Sequence, residues 1–212
     1  HPMREDYFIM PTSGVFSRRN TLRFTTLGIL SLAVIPMLTA CGKDYQGEVK
    51  LDSYDESAGS YEPATKEHPA QNVPKPKKPQ DINDDSTGGL YSTLAFAAAA
   101  MQYALRTGDT SYLQEVNIPE RTKVFFMSNS PFLGGTTWTD NPVVTIALKA
   151  GSPTKDGDTY TWPGHFKVDF GAWTVKDGTA TDTQNNRLNL DQDIDIKAKY
   201  QNNAWTILSL DH

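Results

Sequence analysis

The sequence predicts an α+β domain in which N-terminal helices pack on a curved antiparallel sheet, preceded by a disordered tether and an export leader. Three observations lead there. Apolar residues recur at helical spacing over 90–105, they recur with a period of two from 143 onward, and residues 42–86 carry proline and charge without apolar periodicity. A length of 212 residues allows one domain plus appendages. The single cysteine excludes a disulfide framework and multi-cysteine metal sites. A net charge of −5 argues against a nucleic-acid partner, because such proteins cluster Lys and Arg against phosphates.

The leader spans residues 1–40. Arg18, Arg19 and Arg23 precede the uncharged apolar stretch 24–38, which at about 15 residues is short for a ~30 Å hydrocarbon core. That is the shape of an export signal. It ends in Leu38-Thr39-Ala40-Cys41-Gly42, which resembles a bacterial lipobox. The resemblance implies acylation of the Cys41 thiol and cleavage between Ala40 and Cys41. Upstream, Ser17-Arg18-Arg19-Asn20-Thr21-Leu22-Arg23 resembles a twin-arginine export motif, with Thr21 in place of the usual Phe; paired arginines also occur in ordinary signals. The leader carries four arginines against Glu5 and Asp6, so its removal takes the net charge from −5 to −7. An acidic body does not adhere to anionic lipid, which leaves the acyl chains, at ~0.8 kcal/mol per buried CH₂, as the anchor. The expected location is the outer face of the cell membrane.

Residues 41–86 form the predicted linker, beginning at the lipidated cysteine. Pro63, Pro69, Pro74, Pro76 and Pro79 stand among Asp, Glu, Lys and Ser. Such a segment cannot bury enough apolar surface to offset its ordering entropy, so it reads as disordered, with 73–79 in stiff polyproline II form. Tyr45, Tyr54 and Tyr61 either mark a binding motif here or decorate a solvated spacer, and the spacer is the reading adopted.

The folded part spans 87–212. Leu90, Leu94, Ala98, Met101 and Leu105 form one helical stripe, and Phe96 with Tyr103 a second. Gly108 follows as the C-terminal cap, and Asp109 or Thr110 caps a short second helix. Residues 120–142 read as a helical turn and a loop. In the next strand Val144, Ile146 and Leu148 share a face. In 159–170 the alternation places Trp162, Phe166 and Val168 inward and His165, Lys167 and Asp169 outward, with a bulge expected at Pro163-Gly164. Asp177-Gly178 signals a turn. Residues 188–200 alternate most clearly, and Asn202-Asn203 supply the positive φ angles of a hairpin into 204–210. Apolar residues on both sides of that last segment suggest an interior strand.

A resemblance covers most of the chain after the leader. His68-Pro69-Ala70-Gln71-Asn72-Val73-Pro74-Lys75-Pro76, then Tyr103-Ala104-Leu105-Arg106-Thr107-Gly108-Asp109-Thr110 and Leu113, look like uncharacterised actinobacterial lipoproteins with a cone-shaped, nuclear-transport-factor-2-like (SnoaL-like) domain. Members often carry a cysteine pair after the second helix, where this chain has Asn117-Ile118-Pro119-Glu120-Arg121. The resemblance implies fold and location. Enzymes of that fold place an Asp-His or Asp-Tyr pair in the hollow, where a dry setting tunes general acid/base chemistry.

Tyr103 faces inward by spacing, either as a core residue or as a hydroxyl that donates to a bound oxygen. No acid stands obviously beside it. His165 falls on the wet face of its strand. Phe96, Met101 and Trp205 complete the expected pocket, either lining an open hollow or plugging it. Asp191-Gln192-Asp193 lacks the Gly and Glu positions of a calcium hand and reads as a solvated strand. No GxSxG, phosphate loop or HExxH occurs, so no metal or cofactor is expected. The function read from the sequence is a lipid-anchored extracellular lipoprotein whose domain binds a protein, a glycan or a small apolar ligand without catalysis, with Trp138, Trp162 and Trp173 available for contact. The alternative is an isomerase or hydrolase built on Tyr103.

Overall fold

The computed structural model describes residues 42–131, 136–183 and 190–211. The leader, with Ala40 at its end, and Cys41 lie outside the described residues. The elements are β1 (Gly47–Glu48), β2 (Tyr54–Asp55), β3 (Lys75–Pro76), α1 (Thr87–Thr107), α2 (Ser111–Gln114), α3 (Glu120–Asn129), β4 (Thr137–Thr139), β5 (Val143–Leu148), β6 (Thr154–Asp156), β7 (Thr159–Asp169), β8 (Trp173–Lys176), β9 (Thr179–Asp182), β10 (Leu190–Gln201) and β11 (Ala204–Asp211).

Strand accounts for 36% of the described residues and helix for 23%, so the expected α+β arrangement of helices on one curved sheet is replaced by a predominantly β architecture. Three antiparallel sheets are present among the described residues. The main one runs β1-β5-β7-β10-β11 with β6 attached to β7, while β2 pairs β3 and β4-β8-β9 form a third. The period-two pattern is real, but it does not say which strand pairs with which. The Thr-rich strands β4, β8 and β9 choose one another and leave the main sheet.

The tether is corrected as well. The main sheet takes β1 from it at one edge, with Gly47 opposite Leu148, and the supposed polyproline stretch supplies β3. Side chains fasten the rest. Tyr61 donates to Asn141 Oδ1 at 2.9 Å, Trp138 Nε1 to the Thr65 carbonyl at 2.7 Å, and Trp205 Nε1 to the Asp84 carbonyl at 2.9 Å. Lys78 pairs with Glu115 at 2.8 Å. Val49, Ala64, Val73 and Ile82 are buried. The segment has no core of its own; it is ordered because α1 needs a cover.

That need is visible in the helix. Every residue from Thr93 to Met101 is buried, so α1 is enclosed on all sides instead of showing one apolar stripe. The alanines at 95 and 97–100 let surrounding chain approach closely. Ser86 caps the helix by accepting from the Gly89 N–H at 3.0 Å, and Gly108 closes it in the left-handed conformation at φ 78°.

Val144, Ile146 and Leu148 are buried in β5, and Trp162, Phe166 and Val168 in β7, as the alternation predicts. The bulge expected at Pro163-Gly164 is absent, because β7 pairs β10 in unbroken register from Leu190 opposite Val168 to Lys199 opposite Thr159. Gly164 serves close approach instead: a Cβ there would lie 2.9 Å from the Ala147 carbonyl. The irregularity sits between β10 and β11, at Lys197/Ala198. It turns Leu208 outward and returns Leu210 to the core, which accounts for apolar residues on both sides of β11. That strand is at the edge of the sheet, not inside it. Asp177 and Gly178, at φ 50° and 77°, and Asn202 and Asn203, at 52° and 57°, form the expected tight turns.

Candidate functional site

Among the described residues several hollows line α1, while one of about 250 Å³ lies off it, walled by Ser128, Thr139 and Lys176 among others. A cavity of about 160 Å³ lies between the helix and the former tether, lined by Tyr54, Glu56, Tyr61, Gln102, Tyr103 and Arg106 among others. A hollow of about 350 Å³ shares Tyr103 and Arg106 with it and reaches Trp138. Another of about 260 Å³ shares Tyr54 and Gln102 and reaches Val144. These spaces run one after another along the same side of the helix.

The helix sets the spacing. Ala99, Gln102, Tyr103 and Arg106 succeed one another at intervals of three and four and share that side. Small Ala99 leaves the space that Tyr54 and Tyr61 roof over. Arg106 stands in the last turn of α1, where a cation complements the helix dipole. Its Nε donates to the Pro142 carbonyl at 3.0 Å, and its Cζ lies 5.7 Å from the centre of the Tyr61 ring. Gln102 accepts from the Val144 N–H through Oε1 at 3.2 Å. Burial pushes the Tyr54 hydroxyl above its ordinary range, with Arg106 opposing. Tyr103 is raised by burial first and then by Asp109 and Tyr112. A phenol raised in this way keeps its proton at neutral pH: it can donate to a bound oxygen but cannot serve as a base.

The expected pocket residues are not gathered. Tyr103 lines the cavity at 8% exposure, whereas Phe96, Met101 and Trp205 are core residues at 1%, 0% and 2%. Phe96 meets Tyr112 edge-on, and Trp205 lies between Tyr160 and Tyr200. Of the tryptophans, Trp162 is fully buried and donates to the Ala150 carbonyl at 2.8 Å. Trp138 is half-buried in the groove wall. The sequence reading missed Glu56, Gln102 and Arg106, and set Tyr54 and Tyr61 aside as spacer. The signal available was aromatic residues in an otherwise polar linker.

His165 lies on the outer face of the main sheet. Its Nδ1 is 2.8 Å from Asp193 Oδ1 and its Nε2 2.7 Å from Asp191 Oδ1. Asp193 also holds Lys149 at 2.6 Å. Asp193 first and Asp191 second raise the imidazole pKa, and His165 and Lys149 lower Asp193 to about 2. With both ring nitrogens facing carboxylates, the cluster favours imidazolium. Among the described residues no group of three or more His, Cys, Asp or Glu is arranged to hold a metal ion.

The sequence profile of a family of unknown function, DUF6318, matches residues 59–211. This chain belongs to that family. The matched region begins within the expected tether and takes in Tyr61, Gln102, Tyr103 and Arg106. No curated protein and no solved structure matches the chain. Among the described residues no helix is long and apolar enough to cross a membrane.

Proposed function

We propose that this DUF6318 member is a lipid-anchored lipoprotein of the outer membrane face whose folded body binds a ligand in the groove along α1 and catalyses no reaction. The anchor reading rests on one observation: the sole cysteine stands at the end of an export-type apolar stretch, in Leu38-Thr39-Ala40-Cys41. Ser17-Arg18-Arg19 supports export by a twin-arginine route. The binding reading is supported by the groove's chemistry. Its walls offer tyrosine faces, amide and guanidinium donors, and a phenol that keeps its proton at neutral pH.

The test is Cys41→Ser in the native host. Loss of globomycin-sensitive processing and release from the membrane fraction support the anchor; unchanged processing and fractionation contradict it.

A further inference from the structure

Arg106 and Glu56 line the same cavity without neutralising each other. Among the described residues neither makes an ion pair within 4.0 Å, although six other pairings are formed. Arg106 is half-buried; among the described residues its Nε donates to the Pro142 carbonyl, its Cζ lies 5.7 Å from the Tyr61 ring centre, and its Nη groups make no hydrogen bond. Its four Nη hydrogens remain for a planar acceptor, the geometry a carboxylate fits. The Gln102 amide nitrogen is a further donor lining the same cavity, since among the described residues only Oε1 of that side chain is used, by Val144. Glu56 is exposed at the mouth, an acceptor of opposite sign. Ala99 and the rings of Tyr54 and Tyr61 supply apolar wall to the same cavity.

We propose that this cavity binds a small zwitterion, an α-amino acid with an apolar side chain. The carboxylate meets Arg106 and Gln102, the ammonium meets Glu56, and the side chain lies against Ala99 and the tyrosine rings. The size agrees. At about 160 Å³ the cavity matches spaces that hold a benzene-sized group. A simple anion would be repelled by Glu56 and a simple amine by Arg106, so the pair selects for both charges on one molecule. This inference rests on the binding reading above and is independent of the anchor.

The experiment is calorimetric titration of the full chain with leucine, isoamylamine and 4-methylpentanoate, three molecules that share the apolar body and differ in charge. Leucine is expected to bind saturably, and each single-charge analogue at least about tenfold more weakly. In Arg106→Gln the advantage of leucine over isoamylamine disappears. In Glu56→Gln, an exposed substitution that leaves packing intact, its advantage over 4-methylpentanoate disappears. No saturable heat up to about 10 mM leucine, equal binding of the analogues, or an unchanged preference in Glu56→Gln overturns the proposal. A protein that ignores leucine but depends on Cys41 for membrane retention loses this inference and keeps its anchor.

Discussion

Gly89→Ala separates a tether that wanders in solvent from one that is packed against the helix. Gly89 is in the first turn of α1, and on an exposed helix surface the change to alanine would stabilise by up to about 1 kcal/mol through propensity. Here an added Cβ falls 2.1 Å from the Asp84 carbonyl oxygen and 3.0 Å from that of Asp81. Both are backbone atoms, so relief requires the 81–84 turn to move by roughly 1 Å. That turn carries the bonds from Trp205 to the Asp84 carbonyl and from Thr93 to the Ile82 carbonyl, and Asp81 accepts from Ser92 at 2.7 Å. Overpacking at about 1–3 kcal/mol with about 1 kcal/mol for each hydrogen bond lost gives a net destabilisation of about 2–4 kcal/mol. For a domain of this size that lowers Tm by roughly 5–15 °C. Urea and thermal melts followed by circular dichroism measure it. A Gly89→Ala protein as stable as wild type, or more stable, refutes the packing of 81–86 on α1.

Two further outcomes follow from the same structure. A fragment of residues 87–212, which lacks β1 and the buried Val49 and Ile82, is expected to melt without a cooperative transition, whereas one of residues 42–212 melts cooperatively. A cooperative melt of the shorter fragment contradicts the built-in role of the preceding segment. His165→Gln probes the charge cluster on the main sheet. The His165 pKa is raised in the folded state, so its contribution is present below its unfolded value near 6.5 and fades as pH rises through the folded value. Asp193 contributes above its unfolded value near 3.8 and loses this as pH falls toward about 2. The Tm difference between wild type and His165→Gln is therefore larger near pH 5.5 than near pH 9, and a pH-independent difference contradicts the pairing with Asp191 and Asp193.

How far the sequence carried the account differs from element to element. The alternation of β5 and β7, the positive-φ turns at 177–178 and 202–203, and the cap at Gly108 are local properties, written within a few residues. The partners of β4, β8 and β9 are not, because strand pairing depends on atoms distant along the chain. The segment 42–86 misled for a related reason. Disorder inferred from composition assumes that a segment must pay for its order with its own apolar residues, yet Val49 and Ile82 join the core that contains α1, and Ala64 and Val73 are buried as well. The seamless burial of 93–101 was foreshadowed by its alanines, which are too small to need a single facing groove. Tyr103 was legible as an inward residue of the candidate site. Arg106 was not, because in sequence it reads as a basic residue in a helix's last turn, and only the approach of Tyr54, Tyr61 and Glu56 from the covering segment makes a cavity around it.

The central claim is that an acylated Cys41 moors an acidic, ligand-binding body outside the cell. Intact-mass and N-terminal peptide mass spectrometry of the native membrane fraction tests it most directly. The account predicts a polypeptide that begins at Cys41, lacks residues 1–40 and carries a diacylglycerol thioether on the cysteine sulfur. An uncleaved leader, or a mature chain with a free Cys41 thiol, contradicts it.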